Sequence, residues 1–446
     1  MKPPSAARAT NQSGETQARA IAPGALAGQI GAAAERIVAA LYRPIPAARI
    51  ASAIADAGER WRDRRFPPRA ETVAEIAAAW GYTEALLDES IAAVLAPFSR
   101  GALDALAQGA PAARGELGAL VMAGNVPGAG LHEVAIGLVA GCGLIIKTAT
   151  AEPVFFAKFA RSIALADAEV GARLAVFNWS RDDAAANAAL RAACGWLVAY
   201  GDDGTLAELN ADAGAGPSAK VIGGAAIGFG HRMSGAIVSA EFASGPIADE
   251  VAGAIARDVS LGEQLGCLSP QHIFVETGRA AGDRDGSRDF ARIVADALER
   301  FAVKFPPPRR YAIEDAAALR RVRESARWRA IGGAAVELIE GGIAGQSFGW
   351  TVIHDAGASF TPSPGFRTVT VSPFIDLDDL EIRLDPAAGR LEALALAAPP
   401  SRAGEFARLI DGCGVTWRCA PGAMQSPPIG WPHGGGGFLR LMGGAR

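Results

Sequence analysis

The sequence is poor in charged residues and in cysteine, and both shortages exclude classes of protein. Only 20% of the 446 residues are charged, and the formal net charge of −4 comes without a basic tract that would bind nucleic acid or acidic lipid. The five cysteines are odd in number and contain no C-x-x-C pair. This pattern favours a reducing, cytoplasmic compartment and argues against a zinc site. We therefore expect no nucleic-acid partner and no metal.

A run long enough to span a bilayer is also missing. The most apolar region, residues 117–146, is interrupted by Asn125, Pro127, His132 and Glu133, and the apolar run that follows, 134–146, is shorter than the roughly 20 residues that a membrane helix needs. The sequence therefore predicts no membrane partner. Residues 1–30 are rich in Ala, Gly, Ser, Thr and Pro and contain no apolar block, which predicts a disordered or weakly helical tail.

The sequence does contain enough apolar residues for a large core, since 50% are hydrophobic. Its length suggests two domains of ordinary size. Residues 32–107 are Ala-rich with apolar residues three and four apart, which predicts a helical N-terminal layer. From Gly118 onward, short β-type runs alternate with helical stretches, as in a parallel α/β sheet that binds ligands beyond the carboxyl ends of its strands. The predicted strands are 120–122, 143–146, 173–177, 196–200, 221–222 and 235–238.

A single cysteine stands at the most suggestive turn of the chain. Cys267 lies in the segment Gly262-Glu-Gln-Leu-Gly-Cys-Leu-Ser-Pro-Gln-His-Ile-Phe-Val-Glu276, just before the apolar run Ile273–Val275. On a tight, Gly-flanked turn before a strand, the backbone N–H groups are free to meet a reacting oxygen. A thiol on such a turn is accessible to a substrate and is not packed in a core. The alternative is a small buried hydrophobic side chain, which is what most free cysteines are. Cys267 is therefore a candidate nucleophile.

The same segment resembles the active-site segment of the aldehyde dehydrogenase superfamily. It is most similar to the acyl-CoA (acyl-thioester) reductase branch, which includes the fatty-acid reductase of bacterial bioluminescence. Further segments between about 115 and 440 resemble that branch in the same order. The resemblance implies an aldehyde-dehydrogenase-like fold of two α/β domains that share a cleft, a Rossmann-like cofactor domain and a catalytic domain, behind the helical layer. We place these parts at 31–245 for the helical layer and cofactor domain, 246–420 for the catalytic thiol domain and 421–446 for a Pro/Gly-rich return segment.

The resemblance also implies a reaction. The Cys267 thiolate would attack a thioester carbonyl, and hydride from NADPH would convert the acyl-enzyme through a thiohemiacetal to the aldehyde. The acyl donor would be acyl-CoA or an acylated protein, with an acyl-transferring partner protein as a further candidate. We also expect a homo-oligomer.

The turn Ala123-Gly-Asn-Val-Pro-Gly-Ala-Gly130 resembles the branch's Asn-Val-Pro segment, whose Asn donates to the oxyanion of the covalent intermediate. This role carries over to Asn125, where such a donor lowers the barrier by a few kcal/mol. The alternative is an Asn that caps the helix from Leu131.

Cofactor contacts are implied after the next strands. Lys147 resembles the superfamily lysine that binds the adenosine ribose, although a Lys at a strand end also often just reaches into solvent. Thr150 stands where NAD-preferring members often carry Glu, and without that carboxylate a 2′-phosphate is not repelled, which indicates NADPH. Arg181 is a further candidate to meet the phosphate. Gly201 and Thr205 occupy the place of the turn that packs against the cofactor phosphates.

Three residues bear on acid–base chemistry or on the substrate. Phe229 aligns with the Glu that activates water in hydrolytic aldehyde dehydrogenases, so the acyl-enzyme here should exchange with a thiol and not release an acid. His231 is a candidate to act on a thiol proton and is equally a candidate for a structural role. His433, with Trp431, is a candidate to line the acyl entrance or to act as an acid or base; otherwise its segment is a Pro/Gly-rich loop.

Three other functions remain open. The first is an aldehyde dehydrogenase that works in the oxidative direction, against which Phe229 argues. The second is an acyl-phosphate reductase, which uses the same thiol and hydride chemistry. The third is a non-catalytic acyl-binding partner subunit, against which the presence of Cys267, Asn125 and Lys147 together argues.

Overall fold

The N-terminal part of the chain is helical, as predicted. In the computed structural model, the structure describes residues 25–111, 114–201, 220–221, 224–278, 285–342 and 348–443. Residues 1–24 of the predicted tail therefore lie outside the described residues. Its last residues, 25–30, belong to the first helix. The layer consists of α1 (Ala25–Leu41), α2 (Ala47–Arg62), α3 (Pro67–Trp80), α4 (Glu84–Leu95) and α5 (Arg100–Gln108).

Local sequence sets the helix boundaries of this layer. The side chain of Thr83 accepts a hydrogen bond from Leu86 N at the start of α4, and that of Ser99 accepts one from Ala102 N at the start of α5. By length and composition alone, Glu84–Gln108 is one segment apolar enough to span a membrane. In the structure it is two helices whose side chains Leu87, Leu95 and Leu103 lie in a core shared with the first sheet, which accounts for its hydropathy.

The first domain is built on a six-stranded sheet in the order β3-β2-β1-β4-β6-β5. All pairings are parallel except that between β5 and β6. Its strands are β1 (Leu117–Val121), β2 (Gly143–Thr148), β3 (Leu174–Asn178), β4 (Trp196–Tyr200), β5 (Lys220–Val221) and β6 (Gly224–Phe229). Its helices are α6 (Leu131–Val139), α7 (Phe155–Ala166), α8 (Ala168–Gly171) and α9 (Ala184–Ala193). Strand β6 was not predicted, because its glycines and alanines carry little β propensity.

Helices cover both faces of this sheet. Alternate residues of β4 point to opposite sides: Trp196 and Val198 share a core with α2, α6 and α7, whereas Leu197 and Ala199 share one with α1 and α9. The predicted parallel α/β sheet is therefore confirmed. Its strand order reverses between β1 and β4, so the crevice at their carboxyl ends is where such a sheet binds its ligand.

The second domain is a seven-stranded sheet in the order β13-β12-β7-β8-β11-β10-β9, in which only β9 is antiparallel to its neighbour. Its strands are β7 (Met233–Val238), β8 (Pro270–Glu276), β9 (Val336–Gly341), β10 (Trp350–Asp355), β11 (Thr368–Phe374), β12 (Leu391–Ala397) and β13 (Trp417–Cys419). Its helices are α10 (Gly245–Ser260), α11 (Asp285–Lys304), α12 (Ile313–Ile331), α13 (Leu377–Leu384) and α14 (Pro400–Gly412). The predicted boundary at residue 245 falls after β7, whereas β7 pairs within this second sheet.

The C-terminal segment, expected as a Pro/Gly-rich return segment, packs against the first domain. Its short helix α15 (Gly437–Leu441) brings Phe438 into the same core as Trp196, with ring centroids 5.5 Å apart. The stretch before α15, which carries His433, therefore passes over the junction of the two sheets.

Candidate active site

The loop that carries Cys267 follows α10 and has an unusual backbone. Gly262, Glu263 and Gln264 have φ values of 60°, 53° and 61°, in the left-handed region that non-glycine residues rarely adopt. This conformation reverses the chain within a few residues, so that Cys267 emerges half-buried just before β8. The predicted turn before a strand is therefore confirmed.

Buried polar side chains hold this loop in its strained form. The Gln264 amide donates to the carbonyl oxygens of Pro270 and Thr368 at 2.7 and 2.8 Å and accepts from Thr368 N at 2.7 Å. Glu263 is fully buried and pairs with Arg367, also fully buried, at 2.5 Å. Burial raises the pKa of the Glu263 carboxyl, and the Arg367 guanidinium opposes that shift. These contacts tie the Cys267 loop to β11.

Asn125 comes from the first domain to meet this loop. Its amide Nδ2 donates to the Leu265 carbonyl oxygen at 2.6 Å, two residues before Cys267. The N-cap of α6 is instead Gly130, which has a φ of 96° and no side-chain cap, so the alternative of a helix-capping Asn125 is wrong. An Asn amide has two N–H groups, and the Leu265 carbonyl uses one of them.

The imidazole of His433, on the C-terminal segment, pairs with a carboxylate of the first domain. Its partner is the Glu133 carboxylate of α6, whose Oε1 lies 3.0 Å from His433 Nδ1. The side-chain exposures of the pair are 11% and 3%, so this contact is shielded from water. The Tyr200 hydroxyl at the end of β4 lies 3.3 Å from the same Nδ1. Residues of α6, of β4 and of the C-terminal segment thus meet at one imidazole.

Aromatic rings hold the His433 ring on both faces. Phe229 stacks on one face with centroids 4.0 Å apart, and Trp431 stacks on the other at 4.5 Å. Two π faces on opposite sides of an imidazole favour its charged form. The Gly434 amide, directly after His433, donates to Glu392 Oε1 of β12 at 2.9 Å and fixes the segment to the second sheet.

The environment of His433 favours the imidazolium. Burial opposes a charge there, but the interaction with the Cys267 thiol, the hydrogen bond to Glu133 and the charges of both outweigh it and raise the pKa of His433 to about 10. Burial works against the Glu133 carboxylate as well, yet His433 holds its pKa below the ordinary value. At neutral pH the pair is therefore a buried ion pair beside the thiol.

The structure separates the three residues that the sequence offered for acid–base work. His433 is largely buried and pairs with Glu133, whereas His231 is an exposed residue between β6 and β7. Phe229 is buried, and its ring supports His433.

Sequence reasoning missed Glu133 and Tyr200. A signal for Glu133 was present, because it is an acidic residue in an otherwise apolar helix, and a buried carboxylate requires a partner. That partner, His433, is 300 residues away in sequence.

The predicted cofactor residues lie at the carboxyl ends of the first sheet. Lys147 is the penultimate residue of β2; it is buried, and its ammonium group lies 5.4 Å from the Trp179 ring centroid. Among the described residues its one hydrogen bond is a 3.4 Å contact to the Thr148 carbonyl, and burial lowers its pKa. A buried cation so weakly bonded is suited to bind a polar ligand. A Cβ at Gly124, in the turn after β1, would lie 2.6 Å from Ala149 Cβ. The tight turns and the lysine fit a dinucleotide.

The remaining cofactor candidates are only partly brought together. The Thr150 hydroxyl donates to the Trp179 carbonyl at 3.5 Å, so the turn that carries Arg181 lies beside Thr150. Arg181 itself is exposed and pairs with Asp182 at 3.8 Å. Gly201 follows β4, and its amide donates to the Phe229 carbonyl at 3.3 Å. Thr205 lies outside the described residues.

The class of the protein follows from its two α/β domains, the cysteine loop at their junction and a parallel sheet of the nucleotide-binding type. The fold is that of the aldehyde dehydrogenase superfamily. A benzaldehyde dehydrogenase from Corynebacterium glutamicum, described as NAD-dependent, superposes with a TM-score of 0.64 at 16% identity, over 89% of this chain and 86% of that one. Aldehyde dehydrogenase 21 from Physcomitrella patens superposes with a TM-score of 0.65 at 14% identity, over 89% and 82%.

A multidomain protein contains the same fold. Proline utilization A from Bradyrhizobium japonicum superposes with a TM-score of 0.69 at 17% identity. That match covers 94% of this chain and 43% of the longer protein.

The sequence identifies the family within this class. Residues 113–443 match the acyl-CoA reductase (LuxC) family, and the chain belongs to that family. No curated protein matches the sequence significantly. Family and fold together define an aldehyde-related oxidoreductase that uses a nicotinamide cofactor.

Proposed function

We propose that the protein reduces an acyl thioester to the aldehyde through an acyl-enzyme on Cys267, with NADPH as the reductant. The observation that carries the proposal is the position of Cys267 on a strained loop beside the Asn125 amide. The family match supports a thioester as the substrate. The donor would be acyl-CoA or an acylated protein, and the enzyme would work in the cytoplasm as a homo-oligomer.

In the first half of the reaction, the Cys267 sulfur attacks the thioester carbonyl carbon. The resulting oxyanion receives hydrogen bonds from the free N–H of Asn125 and from the backbone N–H of Cys267. The bond from this carbon to the leaving sulfur then breaks, and the acyl group stays on Cys267. The strained loop holds the thiol in place before substrate arrives, so little conformational freedom is lost during attack.

The cofactor would lie on Lys147, Thr150 and Gly201, with Arg181 near its ribose. A bound nicotinamide supplies the hydride that brings the acyl group to the aldehyde level. Thr150 in place of a carboxylate supports NADPH over NADH, because nothing at that position repels a 2′-phosphate.

Mass spectrometry of the full-length protein tests the acyl-enzyme directly. Mixed with acyl-CoAs from short to long chain and without reductant, the wild type should gain one acyl group on the peptide that contains Cys267. Cys267→Ser should gain none and still bind cofactor. Asn125→Asp keeps the shape of the side chain but removes its donors, so release of the leaving thiol should slow roughly 10²- to 10³-fold. An adduct on the buried Cys142 or Cys194 would contradict the proposal.

The same preparation separates the other functions. Acid formed from an aldehyde without CoA would favour the oxidative dehydrogenase, and faster acylation by acyl phosphate would favour the acyl-phosphate reductase. Acyl binding without any covalent adduct would favour the non-catalytic subunit. The presence of Cys267, Asn125 and Lys147 together argues against this last function, since a pocket that only binds an acyl chain needs none of them.

A further inference from the structure

A serine of the second sheet binds the backbone of the thiol residue itself. Ser234, on β7, is fully buried, and its Oγ donates to the Cys267 carbonyl oxygen at 2.6 Å. We propose that Ser234 is a positioning residue for acylation: its hydrogen bond fixes the peptide that follows Cys267 and so holds the amides of the loop for the developing oxyanion. The inference rests on the proposed function, whose backbone geometry it specifies.

The direction of this hydrogen bond follows from the second partner of Ser234. The Ala393 N–H of β12 donates to the same Oγ at 3.1 Å. An amide N–H only donates and a carbonyl oxygen only accepts, so the serine proton points to Cys267. Both partners of the hydroxyl are therefore fixed. A buried hydroxyl bound in this way links β12 through β7 to the thiol loop.

Strand pairing is irregular on both sides of Ser234. Between Ser234 and Gly235 the register of β7 against β8 shifts by one residue, and the extra residue is Gln271. Against β12 the register shifts at the preceding step of β7, and the extra residue is Glu392. Such bulges interrupt the ladder of backbone hydrogen bonds and re-aim side chains, and they are common next to active sites. The two bulges meet at Ser234, whose hydroxyl binds the segment directly before β8.

The other two carbonyl groups around the thiol are held as well. Asn125 of the first domain donates to the Leu265 carbonyl oxygen, and the Ser269 N–H donates to that of Gly266 at 3.1 Å. With the carbonyl of the thiol residue itself, three consecutive carbonyl oxygens are engaged, each by a different group. The backbone on both sides of the sulfur is therefore fixed before substrate arrives, which lowers the entropic cost of attack.

The N–H groups of the same three peptides face the other way. A trans peptide is planar and its N–H points opposite to its C=O, so a fixed carbonyl also fixes the N–H of the next residue. These N–H groups belong to Gly266, Cys267 and Leu268, and they donate to no other group in the described part of the chain. Free amide donors at a reacting centre stabilise negative charge on the carbonyl oxygen. Without Ser234 the peptide after Cys267 is free to turn, and its carbonyl oxygen would then repel the oxyanion.

The kinetics of acylation test this role. At saturating acyl-CoA and without reductant, Ser234→Ala should release thiol roughly 10- to 100-fold more slowly than the wild type, while the acyl-CoA concentration for half-maximal rate changes less than about threefold. Alkylation of Cys267 by iodoacetamide forms no oxyanion, so the alkylation rate of Ser234→Ala should stay within about twofold of the wild type. Mass spectrometry of the peptide that contains Cys267 measures both reactions.

Ser162→Ala is a matched control, because the Ser162 hydroxyl also bridges a donor and an acceptor in a buried position. In the core of the first domain it accepts from Trp61 Nε1 at 2.8 Å and donates to the Lys158 carbonyl oxygen at 3.1 Å. Each alanine variant removes one buried bridge and should lower the stability to urea. Ser162→Ala should nevertheless acylate at the wild-type rate, because its hydroxyl does not touch the thiol loop.

A second pair of variants isolates the hydroxyl of Ser234. Thr and Val have nearly the same shape, so Ser234→Thr should acylate roughly tenfold or more faster than Ser234→Val whatever the added methyl groups cost. A first-order rate constant does not depend on the fraction of molecules that have folded, so a poor yield of one variant leaves the comparison valid. Equal rates for Thr and Val, equal slowing by Ser234→Ala and Ser162→Ala, or slow alkylation alongside slow acylation would each overturn the inference.

Failure of the proposed function would look different. If the wild type forms no adduct with acyl-CoA, the thioester substrate is wrong. The same variants are then compared with an aldehyde and an oxidised nicotinamide cofactor, because attack of the Cys267 sulfur on an aldehyde also places negative charge on the carbonyl oxygen. Slower appearance of reduced cofactor with Ser234→Ala than with Ser162→Ala would support the inference, and equal rates would overturn it.

Discussion

The rings of His433 and Phe229 lie almost parallel, with centroids 4.0 Å apart and planes inclined by 22°. From the sequence we expected Phe229 to stand where hydrolytic relatives carry a water-activating Glu, which would leave the site without a base at that position. In the structure the Phe229 ring lies against the ring of His433. The stack links the end of β6 to the C-terminal segment across the domain junction.

Removal of this stack should weaken acylation measurably. In Phe229→Leu the ring contact is lost while a large apolar side chain remains. Since an aromatic pair contributes about 0.5–1.5 kcal/mol, we expect thiol release in the absence of reductant to slow roughly 2- to 10-fold. Stopped-flow detection of the released thiol measures this rate. Phe177→Leu is a matched control in the same sheet, and its rate should equal that of the wild type.

The cofactor preference should depend on Thr150. Thr150→Glu introduces a carboxylate that repels a 2′-phosphate, so NADPH should bind at least tenfold more weakly while NADH is little affected. Lys147→Ala should weaken both cofactors, because the lysine is assigned to the ribose that they share. Titration calorimetry with each cofactor measures the dissociation constants. Equal wild-type affinity for NADH and NADPH would contradict this assignment.

The acyl-enzyme should be long-lived at neutral pH and shorter-lived in alkaline buffer. The pKa of His433 is raised to about 10, so at pH 7 the ring is protonated and cannot take a proton from water. The neutral, basic form therefore grows as pH rises, and hydrolysis to free acid should grow with it.

The decay of isolated acyl-enzyme from pH 7 to pH 10 measures this effect. Hydroxide also cleaves thioesters, so the same acyl group on a small thiol gives the background rate. In His433→Gln the decay should fall to that background at every pH. In Glu133→Gln the enzymatic limb should move to lower pH, because the carboxylate no longer supports the imidazolium. Rapid wild-type decay to free acid at pH 7 would show that another group activates water.

Loss of the buried Glu263–Arg367 pair should destabilise the fold. Removal of one member leaves an uncompensated buried group, which costs about 3–5 kcal/mol. Glu263→Gln and Arg367→Met should each reduce the free energy of unfolding by about this amount. Urea denaturation measures that free energy. The double variant should cost less than the two single changes added together. As a control, Arg327→Met breaks an exposed pair with Glu324 and should cost less than about 1 kcal/mol. Equal costs for the buried and exposed variants would contradict this view of the loop.

The sequence alone predicted much of the secondary structure and a candidate nucleophile. Alternation of β-type and helical runs is a local property of the chain, so the helical layer, most strands of the first sheet and β8 followed from it. Cys267 was also visible locally, because glycines flank it and a strand follows. Strand β6 is the exception. It consists largely of glycine and alanine, so it shows no alternation of apolar and polar residues.

Only the tertiary structure decided the pairing of Glu133 with His433. Glu133 and His433 are 300 residues apart, and nothing in the spacing of either predicts the other. The sequence treated Glu133 as an interruption of an apolar region and His433 as part of a Pro/Gly-rich loop. Their pairing arises because the C-terminal segment crosses both sheets, anchored by Phe438 in one core and by Glu392 on the other sheet. Burial and proximity, which together set the charge of His433, exist only after the chain has folded.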